Sequence, residues 1–287
     1  MNDNSGAREQ RLAQAQDEFD RASSGHPDMP KADWLAAYYC AISIDALSER
    51  EPADLAQITL SHLQLARTRR PGKAVCKIGR PCRKTAQSQL ASLWVCVDDM
   101  PFLVDTLVIA VRAAGAAVDW TAHPVVRVER DAKYQLIGLS DNGNAVSEAW
   151  IYLEFDRLSD DKAYAQLEDS IQAHLQDLRL VVSDYQVMDA RIQLAIKTLV
   201  NAPASNDGAR LERAEAAEFL RWLSDGHFTF LASAETRFHT DEKGRARSIP
   251  DAEAGLGLAR KGARFADIDA LVAPREELDK YAESPRV

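Results

Sequence analysis

The stretch Trp94-Val-Cys-Val-Asp-Asp-Met-Pro-Phe-Leu-Val-Asp-Thr106 constrains the fold more than any other part of the chain. The mostly apolar run over residues 90–97 reads as a strand. The acids and proline that follow suit the unpaired N–H groups of a helix start. Val104, Leu107, Val108 and Val111 then recur at i, i+3, i+4 and i+7, which lays one apolar face against a sheet, and Gly115 ends that helix. Residues 118–129, within which Thr121-Ala-His-Pro-Val-Val-Arg-Val-Glu-Arg-Asp131 begins, read as a long strand bent at Pro124. Residues 134–139 are its partner and Asp141-Asn-Gly143 is a turn. Over residues 150–155, Trp150, Tyr152 and Glu154 alternate with Ile151, Leu153 and Phe155, as two faces of a strand do.

Ser159, Asp160 and Asp161 open a second helix whose Tyr164, Leu167, Ile171, Leu175 and Leu178 form one stripe, and residues 179–182 read as a closing strand. Strand, helix, strands, helix, strand is the βαββαβ, ferredoxin-like order of an α+β domain, in which two helices cover one face of an antiparallel sheet. This domain spans residues 73–187. Ahead of it lies a helical segment, 1–72: a polar helix over residues 8–21, a breaker at Gly25-His-Pro27, Trp34, Leu35, Tyr38 and Tyr39 at helical spacing, and a helix after Pro52. In that last helix Leu55, Ile58, His62 and Leu65 fall near one side, with His62 as a half-buried packing residue. Arg67, Arg69 and Arg70 read as its solvated end, favourable to the helix dipole. Residues 188–208 are a helix and the linker Asn201-Ala-Pro-Ala-Ser-Asn-Asp-Gly208. Residues 209–287 start a second α+β module: a helix over 209–223, a strand over 228–234, a hairpin tip at Asp241-Glu-Lys-Gly244, and a charged tail that leaves the module incomplete.

The 287 residues, 46% hydrophobic, suffice for such cores, and a net charge of −9 argues against nucleic acid or an anionic membrane as partner, since both require concentrated Lys and Arg. No apolar run approaches the length of a membrane span, and the polar first thirty residues lack the core of a signal peptide, so the expected location is the cytoplasm. The four cysteines form no Cys-x-x-Cys pair. Cys40 and Cys96 read as core fillers, and Cys76 and Cys82 flank a Gly-Arg-Pro turn without a histidine at zinc-ligand spacing.

No constellation in the sequence performs chemistry. Gly255-Leu-Gly-Leu-Ala-Arg260 puts arginine at the third glycine of a dinucleotide fingerprint, and Ala263 stands where a phosphate loop needs lysine, so both read as glycine-containing loops. Asp98, Asp99 and Asp105 read as helix caps and dipole partners, and His123 and His227 as structural histidines without a nucleophile to pair with. No catalytic residue and no metal ligand is assigned. The helix start after Val97 nonetheless offers backbone N–H groups that hold a carboxylate or phosphate. That makes Asp98, Asp99, Met100, Pro101 and Phe102 a candidate binding loop for an amino-acid effector.

Several motifs recur here in one order: Val97-Asp-Asp-Met-Pro-Phe-Leu-Val-Asp105, His123-Pro-Val125, Arg130-Asp131, Ser147-Glu-Ala-Trp150, Glu154-Phe-Asp-Arg157 and Asp225-Gly-His-Phe-Thr-Phe-Leu231. Together they resemble the N-terminal region of the large bacterial NAD-specific glutamate dehydrogenases, across nearly the whole chain. The resemblance implies an ACT-like domain at 73–187 and a regulatory or oligomerisation segment of an oxidoreductase that converts L-glutamate to 2-oxoglutarate and ammonia. NAD and the catalytic residues would then belong to a downstream domain, with no cofactor in this chain, which alone is not expected to be catalytic. The implied partners are further copies of the chain, the downstream catalytic region and an amino-acid effector. Phe102 stands where amino-acid-binding ACT domains usually carry glycine soon after the loop proline. The alternative is a stand-alone ACT-like module that senses amino acids or binds a protein.

Overall fold

The computed structural model describes residues 3–25, 32–79, 90–204, 206–240, 242 and 246–263. His26 and Pro27 of the expected breaker, the turn leading to Cys82, most of the tip at 241–244 and the tail after Ala263 lie outside them. Helices α1 (Asp3–Ser23), α2 (Trp34–Tyr38), α3 (Ile44–Ser48) and α4 (Pro52–Ala66) come first. Next are β1 (Val75–Gly79), β2 (Leu90–Asp98), α5 (Leu103–Ala113), β3 (Val118–Ala122), β4 (Val125–Arg130), β5 (Leu136–Leu139) and β6 (Val146–Asp156). They are followed by α6 (Asp161–Asn201), α7 (Asp207–Trp222), a π-helical turn at Leu223–His227, β7 (Ala232–Thr240) and β8 (Ala246–Gly257). The fold is α+β. It divides, within α6, into two compact units, Met1–Leu175 and Gln176–Val287.

In the first unit the sheet order is β1-β2-β6-β4-β5, with β3 also paired to β6 and every pairing antiparallel. β3 and β4 are one strand interrupted at His123-Pro124, as the bend at Pro124 predicted; the Trp150 N–H reaches the Pro124 carbonyl across the gap (2.9 Å). The expected closing strand at 179–182 is absent, because those residues lie inside the 41-residue helix α6. Leu167, Ile171, Leu175, Leu178, Val181 and Met188 continue a three-to-four-residue spacing on its buried side, and no glycine or proline interrupts the run to Asn201. The edge position beside β2 is taken instead by β1, from upstream, with Val75 opposite Cys96 and Lys77 opposite Trp94.

Both faces of the central strands are covered. Trp94, Cys96, Trp150 and Tyr152 share a core with Trp34, Leu35, Tyr38 and Tyr39 and with Leu55, Ile58 and Leu63 of α4. The alternate positions Leu93, Val95, Val97, Ile151, Leu153 and Phe155 point to the opposite face. There the buried Leu103, Leu107, Ala110 and Val111 of α5 and Leu167 and Ile171 of α6 supply the cover. The Trp150 ring stacks on Trp34 (centroids 5.5 Å apart, planes 8° apart) and on His62 (5.1 Å, 16°), so the helical layer locks to the sheet through a three-ring stack.

His62 is fully buried, which corrects the half-buried reading. Its Nε2 lies 3.0 Å from the Val95 carbonyl and its Nδ1 2.7 Å from the Tyr38 hydroxyl. A carbonyl only accepts, so Nε2 carries the proton and Nδ1 accepts from Tyr38. Burial lowers the pKa to about 3, against smaller raising contributions from the Val95 carbonyl and Glu148. A depressed pKa gives stability that is present above the unfolded value of 6.5 and lost as pH falls toward the folded value. Urea unfolding between pH 6.5 and 4 is expected to lose stability through His62 at up to about 1.4 kcal/mol per pH unit. The His62→Gln variant should show a flatter slope over the same range; identical slopes would show that His62 does not carry the effect.

In the second unit Asn206 caps α7 by accepting from the Ala209 N–H (2.8 Å), and β7 pairs with β8 as a hairpin. The predicted strand at 228–234 starts late, at Ala232, leaving Phe228 and Leu231 exposed. Among the described residues no helix is long and apolar enough to cross a membrane.

Candidate functional site

The loop between β2 and α5 sits where the sheet end and a helix start meet. β2 ends at Asp98, paired in register with Glu148 of β6, and the Asp99 N–H donates to the Ser147 carbonyl (3.2 Å). Asp98 and Asp99 do not cap α5, contrary to the sequence reading, whereas Asp105 lies in its first turn, where a dipole partner belongs. Proline precedes the cap position, which is held by Phe102, whose side chain makes no cap hydrogen bond to α5. Asp98 instead turns away from the helix: its Oδ1 pairs with Arg69 (2.8 Å) and its Oδ2 accepts from the Gly72 N–H (2.8 Å). Asp99, Pro101 and Phe102 are exposed and Met100 is half-buried, while Asp105 lies exposed in the first turn of α5.

Behind Asp98 lies a charge network that sequence reasoning missed. The Glu148 side chain is 0% exposed and collects five donors. Oε1 accepts from Arg69 Nη2 (2.7 Å) and Arg130 Nε (2.6 Å). Oε2 accepts from Arg130 Nη2 (2.8 Å), the Trp150 indole N–H (3.1 Å) and the Cys96 thiol (3.2 Å). Burial alone would raise the carboxyl pKa, but the two guanidinium groups outweigh it and hold Glu148 at about 2. Arg69 is 1% exposed, so the reading of a solvated basic helix end is corrected for it; Arg67 and Arg70 are exposed, and Arg70 lies over the Tyr134 ring. Along the same strand face Glu154 pairs with Arg50 (2.6 Å), both 0% exposed, and accepts from the Tyr152 hydroxyl (2.7 Å). Glu148, saturated in this way, stays ionised near neutral pH, so its network positions rather than reacts.

The other candidates scatter. His123, between β3 and β4, comes within electrostatic reach of Asp99; burial lowers its pKa and Asp99 partly opposes that. His227 stacks on Trp222 (4.8 Å) and bonds the Trp222 carbonyl, so it serves the turn after α7. Cys96 is buried, and burial pushes its thiol well up, whereas Cys40 is exposed rather than a core filler. The half-buried Cys76 accepts from Gln172 (3.0 Å). Among the described residues no three His, Cys, Asp or Glu side chains are placed to hold a metal ion.

These features belong to a stretch that is similar to known proteins. Residues 34–171 match the ACT1 domain of glutamate dehydrogenase. The NAD-specific glutamate dehydrogenases of Halomonas elongata and Pseudomonas aeruginosa are each 30% identical to the chain, over 230 and 229 residues, or 78% of this chain and 14% of each relative. That of Mycobacterium tuberculosis is 25% identical over 184 residues, 62% of this chain and 11% of the relative. The chain belongs to the N-terminal region of this family. It spans about one-seventh of the length of those glutamate dehydrogenases. The ACT1 match opens at Trp34, the residue that stacks on Trp150, so it takes in the helical layer as well as the sheet.

Two glycine questions raised by the sequence are settled by the backbone of this glutamate dehydrogenase region. Gly255 and Gly257 serve close packing: a Cβ on either would meet the Ala259 or Leu231 carbonyl oxygen at 1.9 and 2.3 Å. Arg260, in place of the third fingerprint glycine, pairs with Asp184, which also accepts from the Gly257 N–H (2.8 Å). At the ACT1 loop, Phe102 adopts φ 66°, ψ 12°, the left-handed backbone that glycine takes without cost, and holds its ring 49% exposed. Phe102→Gly is therefore expected to raise stability by at most about 1 kcal/mol, since the relieved strain of about 1–2 kcal/mol exceeds the added chain entropy of about 0.5–1 kcal/mol and the exposed ring's packing takes off a little more. A lower urea midpoint would show that the ring contributes more than the backbone strain costs.

Proposed function

We propose that these residues are a regulatory and assembly segment of an NAD-dependent glutamate dehydrogenase. The oxidation of L-glutamate to 2-oxoglutarate and ammonia, and the binding of NAD, would be carried elsewhere in that enzyme. The observation that carries this reading is the ACT1 match over residues 34–171, which coincides with the sheet, its helical layer and the loop at 98–102. The chemistry of the site agrees with binding rather than turnover. Its buried carboxylates are committed to guanidinium groups, while the exposed Asp99 and the uncapped first turn of α5 offer one group for an ammonium and several N–H donors for a carboxylate. The proposed ligand is accordingly an amino acid, seated at Asp98, Asp99, Met100, Pro101 and Phe102.

Calorimetric titration of the chain with the common L-amino acids tests this. Heat of binding is expected for one or a few of them and is expected to be lost in Asp99→Ala. No heat with any of them, together with no effect of Asp99→Ala on the whole enzyme, would end the sensing half of the proposal.

A further inference from the structure

In the second unit, helix α7 faces the opposite way from an ordinary amphipathic helix. It buries the small Ala209 and Ala217 and turns Leu211, Phe219 and Trp222, which fall along one face at helical spacing, to solvent. Phe219 and Trp222 are 59% and 48% exposed and their rings stack on each other (centroids 6.1 Å apart); His227 stacks on Trp222 in turn (4.8 Å). Phe228 and Leu231 follow in the chain, each more than half exposed. Single exposed apolar side chains are ordinary, but large ones gathered in this way mark an interaction surface.

A loose chain does not account for the exposure. The turn at Leu223–His227 is tied to α6 by the Ser224 hydroxyl, which donates to Asp189 (2.6 Å) and accepts from Gln193 (2.9 Å). The His227 ring bonds the Trp222 carbonyl (2.9 Å), the Leu231 carbonyl accepts from the Leu258 N–H (2.9 Å), and Arg191 donates to Ser233 (3.0 Å). The aromatic residues are held outward on a fixed frame.

Two observations point to what covers them. Phe228-Thr-Phe-Leu231 has the composition of a strand yet precedes β7, and the sheet of this unit, among the described residues, is the two-stranded β7–β8. Neighbouring strands in a sheet come from consecutive stretches of chain about two-thirds of the time, which favours the polypeptide that follows over a second copy as the source of a partner. The similarity to the Halomonas elongata and Pseudomonas aeruginosa relatives covers 230 and 229 residues, more than the 175 of the first unit, so it runs into this one, while it takes up 14% of each relative. Relatives of that length have downstream sequence to seat on such a face, and a segment on the same polypeptide arrives at high effective concentration.

We infer that the face formed by Leu211, Phe219, Trp222, Phe228 and Leu231 is the docking surface for the downstream polypeptide of the enzyme, which pairs beside residues 228–231 and covers the exposed rings. This rests on the reading of the chain as a segment of a glutamate dehydrogenase, and it names the surface through which that segment joins the rest. α7, with its alanines inward and its aromatic residues outward, is then the inner helix of a module completed from downstream.

Photocross-linking in the full-length product of the source gene tests the docking. Phe228 is replaced by photoreactive benzoylphenylalanine in one variant and Trp222 in another; both side chains are exposed, so neither replacement opens the core. After illumination and digestion, mass spectrometry is expected to find both positions joined to peptides encoded beyond residue 287. Adducts confined to residues 1–287 would show that this chain or a second copy covers the face; they would overturn the docking and leave the glutamate dehydrogenase reading standing. A longer polypeptide that gives no adduct from either position would overturn it as well, because the face would then be open to solvent in the enzyme. A gene product near 31.7 kDa would remove the docking and the reading together.

Discussion

Glu148→Gln is expected to destabilise the first unit by about 3–5 kcal/mol, the range found when one partner of a buried ion pair is removed and the other is left behind. The substitution keeps the shape of the side chain but leaves Arg69 and Arg130 with Asp98 as the only remaining anion of the cluster. The amide also presents two N–H donors toward a site where guanidinium, indole and thiol groups all donate. Since a domain has about 5–15 kcal/mol of total stability, a loss of this size should move the urea midpoint sharply. A loss below about 1 kcal/mol would mean that water reaches the cluster and that its burial is not maintained in solution. The same residue sets an acid limit. Its folded pKa of about 2 lies below the ordinary 4.5, so its contribution is complete above pH 4.5 and is lost as pH falls from there toward 2.

Trp150→Ala should cost about as much, roughly 3–5 kcal/mol, by a different route. The indole is 0% exposed, stacks on both Trp34 and His62, and donates to Glu148. Truncation opens a cavity at the junction of the helical layer and the sheet, and it removes one of the five donors from the carboxylate. Trp150→Phe separates the two contributions: it keeps a ring in the stack, loses the N–H, and should cost about 1–3 kcal/mol. Equal losses for Ala and Phe would assign the effect to the hydrogen bond, and a neutral Ala would contradict the stacked junction altogether.

Local pattern carried the parts of the fold that local pattern determines. β2, α5, the interrupted strand at His123-Pro124, and the start of α6 at Asp160-Asp161 were readable because each has a periodicity and a punctuating residue nearby. The Asp160 carboxylate accepts from the Ala163 N–H (2.8 Å), as a capping acid should. Residues 179–182 misled because Leu180, Val181 and Val182 have the composition of a strand, while the stripe running through Leu178, Val181 and Met188 belongs to a helix without a breaker. β1 had no such signature, and its pairing with β2 is a contact between segments that the sequence does not link by any period.

The charge network was invisible for a related reason. Arg69 and Glu148 stand 79 positions apart, and Arg50 and Glu154 stand 104 apart, so each reads by itself as a surface residue. One signal was available in hindsight: Glu148, Trp150, Tyr152 and Glu154 share a face of a strand whose other face carries the apolar Ala149, Ile151, Leu153 and Phe155. Acids beside large aromatics on a doubly covered strand must be buried and must therefore find cations. The Ser147-Glu-Ala-Trp150 motif that carried the family resemblance thus names two members of the network before any role could be given to them.

The central claim, that these residues serve a glutamate dehydrogenase as its regulatory end, is tested most directly by immunopurifying the native polypeptide that carries them from the source cells. Its mass and its glutamate-dependent reduction of NAD would be measured on the same sample. The account predicts a polypeptide several-fold heavier than 31.7 kDa in which the activity co-purifies. A species near 31.7 kDa without that activity would contradict it and favour a separate amino-acid-binding module.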